Sequence, residues 1–368
     1  MKKLLSLMLA LSLLLLAGCG GAPAETEPPT TAAPTTEAPT VATTEAPETT
    51  AAPTTEPTEP PVVYTNPLTG ETLDAPLENR IFAVTINNVK KAIPHYGVNN
   101  ADLYFEMFIN DYSTRGFALY TDITDTAIIG SVRSMRMNFT DICQAYDAVG
   151  IFAGGSDKVL GDMYKTDIDY ISVGQIAGDY YFRDQQRRDD GYAYEHTLFV
   201  KGPELKATAE KNDIRVTQDA DKDYGLLFTE NAAPENGEDA SVINIDMNYK
   251  GKITKTNVLT YNAETGKYEY TQYKKPMVDE LTGQPEAFKN IIVMLAEVKD
   301  IDVYHVANLQ TSGEGYFACD GKIIPILWNH ESETAPFTYT LTDGTPLELG
   351  IGNSYICITP LESEIDWE

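Results

Sequence analysis

The chain has 368 residues, with 27 basic against 55 acidic side chains and a formal net charge of −28. Binding to DNA or RNA depends on clustered Lys and Arg that neutralise phosphates, so this balance excludes nucleic acid and opposes adsorption to bare anionic lipid. The length is sufficient for two hydrophobic cores.

The predicted elements begin with a secretion signal. Lys2 and Lys3 precede the apolar run "LLSLMLALSLLLLA", so residues 1–18 are expected to be a lipoprotein signal peptide. "LAGC" at Leu16–Cys19 matches the bacterial lipobox, which makes Cys19 the expected lipidation site, carrying palmitate-type acyl chains. The run is short for a span of ~20 residues, which favours a cleaved signal over a transmembrane anchor. Several acyl chains at about 0.8 kcal/mol per buried methylene would hold the protein on a membrane. The expected location is extracytoplasmic, on the outer face of the bacterial cell membrane. Residues 19–61 are rich in Thr, Pro, Ala and Glu without Lys, Arg or aromatics. They have almost nothing to bury and are expected to form a disordered tether.

The fold class expected beyond the tether is α+β. Residues 62–222 read as a mixed α/β domain, and residues 223–368 as a predominantly antiparallel β domain. "RIFAVTINN", "ADLYFEMFI" and "GFALYTD" read as strands, the last two joined as a hairpin. A helix is expected over Ser134–Ala145, a second from Ser156 and Asp157 after the turn "GGS", and a third over "GPELKATAEKN" with Pro near its first turn. The polar run from Thr217 to Ser241 reads as the connection. Short β runs follow, with "NAETGK" and "CDGK" as hairpin turns and "IPILWN" as an edge strand, because Pro325 has no N–H to donate. Cys143, Cys319 and Cys357 lack metal spacing and are expected as buried free thiols, although Cys319 and Cys357 could pair.

Several stretches together resemble the YerB-like bacterial lipoprotein family. In the first half these are "NPLTGE", "ADLYFEMF", "GSVRSMR", "GGS" and "FRDQQR". In the second half they are "YNAETGKYEY", "DELTGQP", "GEGYFACDGKIIPILWN" and "ITP". The resemblance implies an extracytoplasmic lipoprotein with two consecutive domains of unknown function. Members typically carry a His before the Gly-Gly-Ser turn, where this chain has Phe152. They also tend to show Pro-His-Asn where it has Glu195-His196-Thr197. A chemistry needing both histidines would therefore be half-equipped here.

The candidate site centres on "GSVRSMR". Ser131 and Ser134 are potential caps, and Arg133 and Arg136, if helical, would share one face. Arg115, Arg183 and Arg187 could converge on them, with Asp184 and His196 nearby. A guanidinium fork recognises phosphate or carboxylate, so an anionic ligand is one reading. Internal pairing with Asp102, Glu106, Asp147 and Asp184 is the other, and in so acidic a chain it is the favoured one. Ser156 reads as a helix cap rather than a nucleophile. The histidines and loop acids show no metal-site spacing, and no cofactor is expected. The tyrosines of "DYYFRD" and "GYAYEH" suit a core boundary better than a ligand cleft. Binding or scaffolding, with a cell-wall or envelope protein as partner, ranks above an alternative as an envelope hydrolase or transferase acting on wall polymer. That alternative would use Asp184, Glu106 and His196 as acid and base.

Overall fold

Along strand Leu103–Asn110, Leu103, Phe105 and Met107 enter one apolar core, while Tyr104 and Glu106, out of phase by one residue, turn to the opposite face. That is the side-chain period of two in a pleated strand, and both faces of this strand are covered. The computed structural model describes residues 63–110 and 113–368. The expected signal peptide, lipidation at Cys19 and the tether of residues 19–61 lie outside the described residues.

The fold is mixed, with few helices and many strands. From one edge, the large sheet runs through Glu238–Asp239, Lys322–Asn329, Ser312–Cys319, Asn290–Ala296 and Ser354–Pro360. It continues through Leu103–Asn110, Ser113–Tyr120, Phe82–Ile86, Val149–Phe152 and Tyr170–Ser172. Segments from both sides of residue 222 thus share one sheet. The join is parallel: Ser354 pairs with Leu103, and Cys357 lies opposite Glu106. Within the later segment, Asn290–Ala296 with Ser354–Pro360 and Leu227–Thr229 with Glu348–Gly350 are also parallel pairs, against the expected antiparallel pattern. A smaller sheet built on Val242–Tyr249, Lys252–Asn262 and Lys267–Gln272 covers one face.

Helices α1 (Met137–Ala145) and α2 (Asp157–Met163) cover the other face. Along α1 and its C-cap, Phe139, Ile142, Cys143 and Tyr146 recur at helical spacing and are all buried. The helix starts three residues later than expected. Arg136 is its extended N-cap residue, with φ −133° and no side-chain cap, so neither Ser131 nor Ser134 caps it. Ser156 does cap α2, its hydroxyl accepting from the Val159 N–H at 3.4 Å. Helix α3 (Gln185–Asp189) is short, and α4 (Gly202–Lys211) carries Pro203 in its first turn.

Pro325 is not on a free edge strand. Lys322–Asn329 pairs along its length with Ser312–Cys319. On its outer side it pairs with Glu238–Asp239 through Ile323 and with Thr338–Leu341 from Ile326 onward. The proline falls between those two short partners, where a missing N–H costs nothing. Cys143, Cys319 and Cys357 are buried free thiols.

Candidate functional site

Three arginines converge beside the start of α1. Arg115 lies on strand Ser113–Tyr120, on the same face as Phe117 and Leu119, and is only 2% exposed. Arg133 and Arg136 lie in an extended segment rather than on a helix, so they do not share a helical face as i, i+3 neighbours. Backbone bonds hold that segment. Ala153 N–H donates to the Arg133 carbonyl at 2.8 Å, Met135 N–H donates to the Gly154 carbonyl at 2.9 Å, and the Thr85 hydroxyl also donates to the Arg133 carbonyl. Gly154 has φ +69°, a left-handed turn that favours glycine, so the "GGS" turn serves as the loop's backbone partner.

The cluster is poorly compensated. Arg115 donates to the Ser134 carbonyl at 2.7 Å, and Arg136 to the Met135 carbonyl at 2.7 Å while stacking on the Tyr304 ring at 4.6 Å. The Nε of all three is buried with no hydrogen-bond partner among the described residues. Their one ion pair there is Arg133 with the exposed Glu195, at 3.8 Å. Burial lowers the pKa of Arg115 well below its ordinary value, and the Arg136 and Arg133 charges push the same way. Arg136 is lowered by burial as well, against a partial offset from Tyr304.

The expected bracing by acids is corrected, because each of the four carboxylates is engaged elsewhere. Asp102 accepts from Thr121 N–H at 2.6 Å and from Asn66 Nδ2 at 2.9 Å. Asp147 pairs with Arg80 and Arg215 at 2.9 and 2.6 Å. Asp184 caps α3 through the Arg187 N–H at 3.1 Å. Glu106 is fully buried and paired with Lys255, while Tyr270 and Tyr355 hydroxyls each donate to its Oε2 at 2.7 Å. An acid–base trio of Asp184, Glu106 and His196 is not assembled. Glu106 is sealed in the core, and the other two are held by separate partners.

Arg183 and Arg187 serve the local fold. Arg187 is 5% exposed and donates to the carbonyls of Ala92 at 2.9 Å, His196 at 3.2 Å and Pro94 at 2.5 Å, among the rings of Tyr96, Tyr192 and Phe199. Arg183 stacks on Tyr194 at 3.8 Å and donates to its carbonyl. Ser134 contributes its carbonyl to Arg115, not its hydroxyl. His196 is buried at the rim of the cluster, with Nδ1 2.8 Å from Asn87 Nδ2 and Nε2 3.9 Å from Glu195. Burial lowers its pKa; Glu195 opposes this, and Arg133, Arg187 and Lys91 reinforce it, so the ring is neutral at neutral pH. Tyr304 and Asn87 belong to the site although no motif marked them. Asn87 directly follows the strand Phe82–Ile86, and Tyr304 arrives from a hairpin in the other half of the chain.

Comparison with known proteins gives consistent matches. Residues 68–215 match the N-terminal domain, and residues 245–356 the C-terminal domain, of a protein of unknown function, DUF3048. The Bacillus subtilis (strain 168) protein named "Putative lipoprotein YerB" is 26% identical over 302 residues, covering 80% of this chain and 86% of that one. The crystal structure of the YerB protein from Bacillus subtilis superposes with a TM-score of 0.70 at 23% identity, over 82% of this chain and 99% of that one, and so shares its fold. With both domains matched in order across one shared sheet, the chain belongs to the YerB-like, DUF3048 family.

Proposed function

We propose that this protein is a lipid-anchored lipoprotein of the bacterial envelope that binds an oxyanion, phosphate or carboxylate, at Arg115, Arg133 and Arg136. The lipobox at Cys19 and the name of the Bacillus subtilis relative support the anchor and the extracytoplasmic location. The observation that carries the binding site is the set of three unpartnered, buried Nε atoms on mutually repelling guanidinium groups. Such an arrangement is costly when empty, because a buried charge needs a partner. An oxyanion supplies one through paired N–H···O bonds. The test is thermal unfolding of the full chain with inorganic phosphate, pyrophosphate or citrate. A compound present at a hundred times its dissociation constant stabilises the folded state by about 2.7 kcal/mol. At least one should shift the wild type and leave Arg133→Ala/Arg136→Ala unmoved. No shift with any of the three overturns the proposal.

A further inference from the structure

Glu195, the acid ion-paired to the arginine cluster, is placed so that an incoming ligand has to deal with it. It lies on the turn Tyr194–His196, whose backbone is clamped from several sides. His196 N–H donates to the Ala193 carbonyl at 2.8 Å, the Thr197 hydroxyl to the Tyr194 carbonyl at 2.9 Å, and Arg187 to the His196 carbonyl at 3.2 Å. The Glu195 side chain is loosely held by contrast. It is 54% exposed, and its carboxylate stands 3.8 Å from Arg133 Nη2 and 3.9 Å from His196 Nε2, beyond hydrogen-bond length of either.

On a guanidinium, Nε and Nη2 form one edge, whose two N–H groups take two oxygens of one oxyanion side by side. Glu195 uses that edge of Arg133 poorly. It approaches Nη2 from a distance and leaves the buried Nε without a partner among the described residues. His196 adds a donor at the same rim. Its Nδ1 faces Asn87 Nδ2, an N–H donor, and in that amide orientation the proton of the neutral ring sits on Nε2. An exposed ion pair of this length contributes little. An oxyanion that takes both Nε and Nη2 gains more, and it approaches through the space beside the edge where the carboxylate stands.

Resting on the oxyanion reading of the arginines, we infer that Glu195 is the internal counter-ion of the site, standing at the Nε–Nη2 edge of Arg133 in the ligand-free protein and displaced when an oxyanion binds. Glu195 then sets the threshold a ligand has to exceed and adds nothing to the bound state. The test is calorimetric titration of the full chain with inorganic phosphate, pyrophosphate and citrate, at one pH and one ionic strength. Glu195→Gln keeps the side-chain shape and removes its charge. It should bind whichever of the three the wild type binds about threefold more tightly, as expected when no exposed ion pair has to be broken. Glu210→Gln neutralises an exposed acid on α4 and should bind as the wild type does. Unchanged or weaker binding by Glu195→Gln overturns the inference and leaves the oxyanion site standing; weaker binding makes Glu195 a group that positions Arg133 for the ligand. An equal gain in Glu210→Gln also overturns it, because net charge and not contact would then be responsible. If neither the wild type nor Glu195→Gln binds any of the three, the oxyanion reading fails and this inference fails with it.

Discussion

The two faces of the hairpin Leu103–Asn110/Ser113–Tyr120 carry two charge clusters built in opposite ways. On one face, Glu106 meets Lys255, and hydroxyls and an amide from Tyr270, Tyr355 and Asn257 complete its hydrogen bonding. There Lys255 lowers the carboxyl pKa against its burial. On the other face, Arg115 meets two more arginines, and three Nε atoms have no partner among the described residues. The first cluster is complete without a ligand and ties the smaller sheet to the large one. The second is incomplete, and the proposed oxyanion site rests on that incompleteness.

The largest effect should come from breaking the complete cluster. Lys255→Met strands the buried Glu106 and is expected to cost about 3–5 kcal/mol in chemical denaturation, with Glu106→Gln/Lys255→Met recovering a large part of that loss. If the single variant unfolds like wild type, the contrast between the faces is lost. Arg187→Met leaves three carbonyls unpaired and should cost on the order of 2–3 kcal/mol, which separates a satisfied arginine from the unsatisfied ones.

A third prediction concerns pH. Burial pushes Asp102 and Asp141 up to about 6; Glu71 adds to the first and Glu333 to the second, while hydrogen bonds from Thr121, Asn66, Asn138 and Gln310 oppose the rise. Unfolded aspartates titrate near 3.9, so between about pH 4 and 6 the folded state binds more protons. Their contribution is fully present below about pH 4 and is lost as pH rises through 6. The melting temperature of wild type minus that of Asp102→Asn/Asp141→Asn should therefore fall across that window. A flat difference would contradict it. Smaller again, Ser156→Ala should cost about 1 kcal/mol through the α2 cap while leaving oxyanion affinity intact, since the "GGS" turn holds the arginine loop through backbone alone. A loss of affinity there would make the turn part of the site.

The sequence displayed the parts of this comparison unevenly. Strands, hairpin turns and the Ser156 cap are local, and their residues announced them. The unusual density of Arg in "GSVRSMR" pointed to the right segment, but two serines suggested a helix start that the structure places at Met137. The segment instead lies extended because its backbone pairs with Ala153 and Gly154, and its Arg133 carbonyl also bonds to Thr85. Glu106 looked like an available acid because its partner Lys255 lies in a distant strand, and no local pattern joins them. Tyr304 joins Arg136 only because a hairpin from the second half packs beside the start of α1.

The central claim is that the arginines form a site and not a brace, and the stability of the ligand-free protein tests it most directly. Urea unfolding of wild type and Arg133→Met/Arg136→Met would be compared in buffer free of phosphate and carboxylate. The account predicts an unchanged or higher midpoint for the variant, because removing like charges relieves repulsion. A loss of more than about 1 kcal/mol would show that the arginines hold the fold together, and would contradict it.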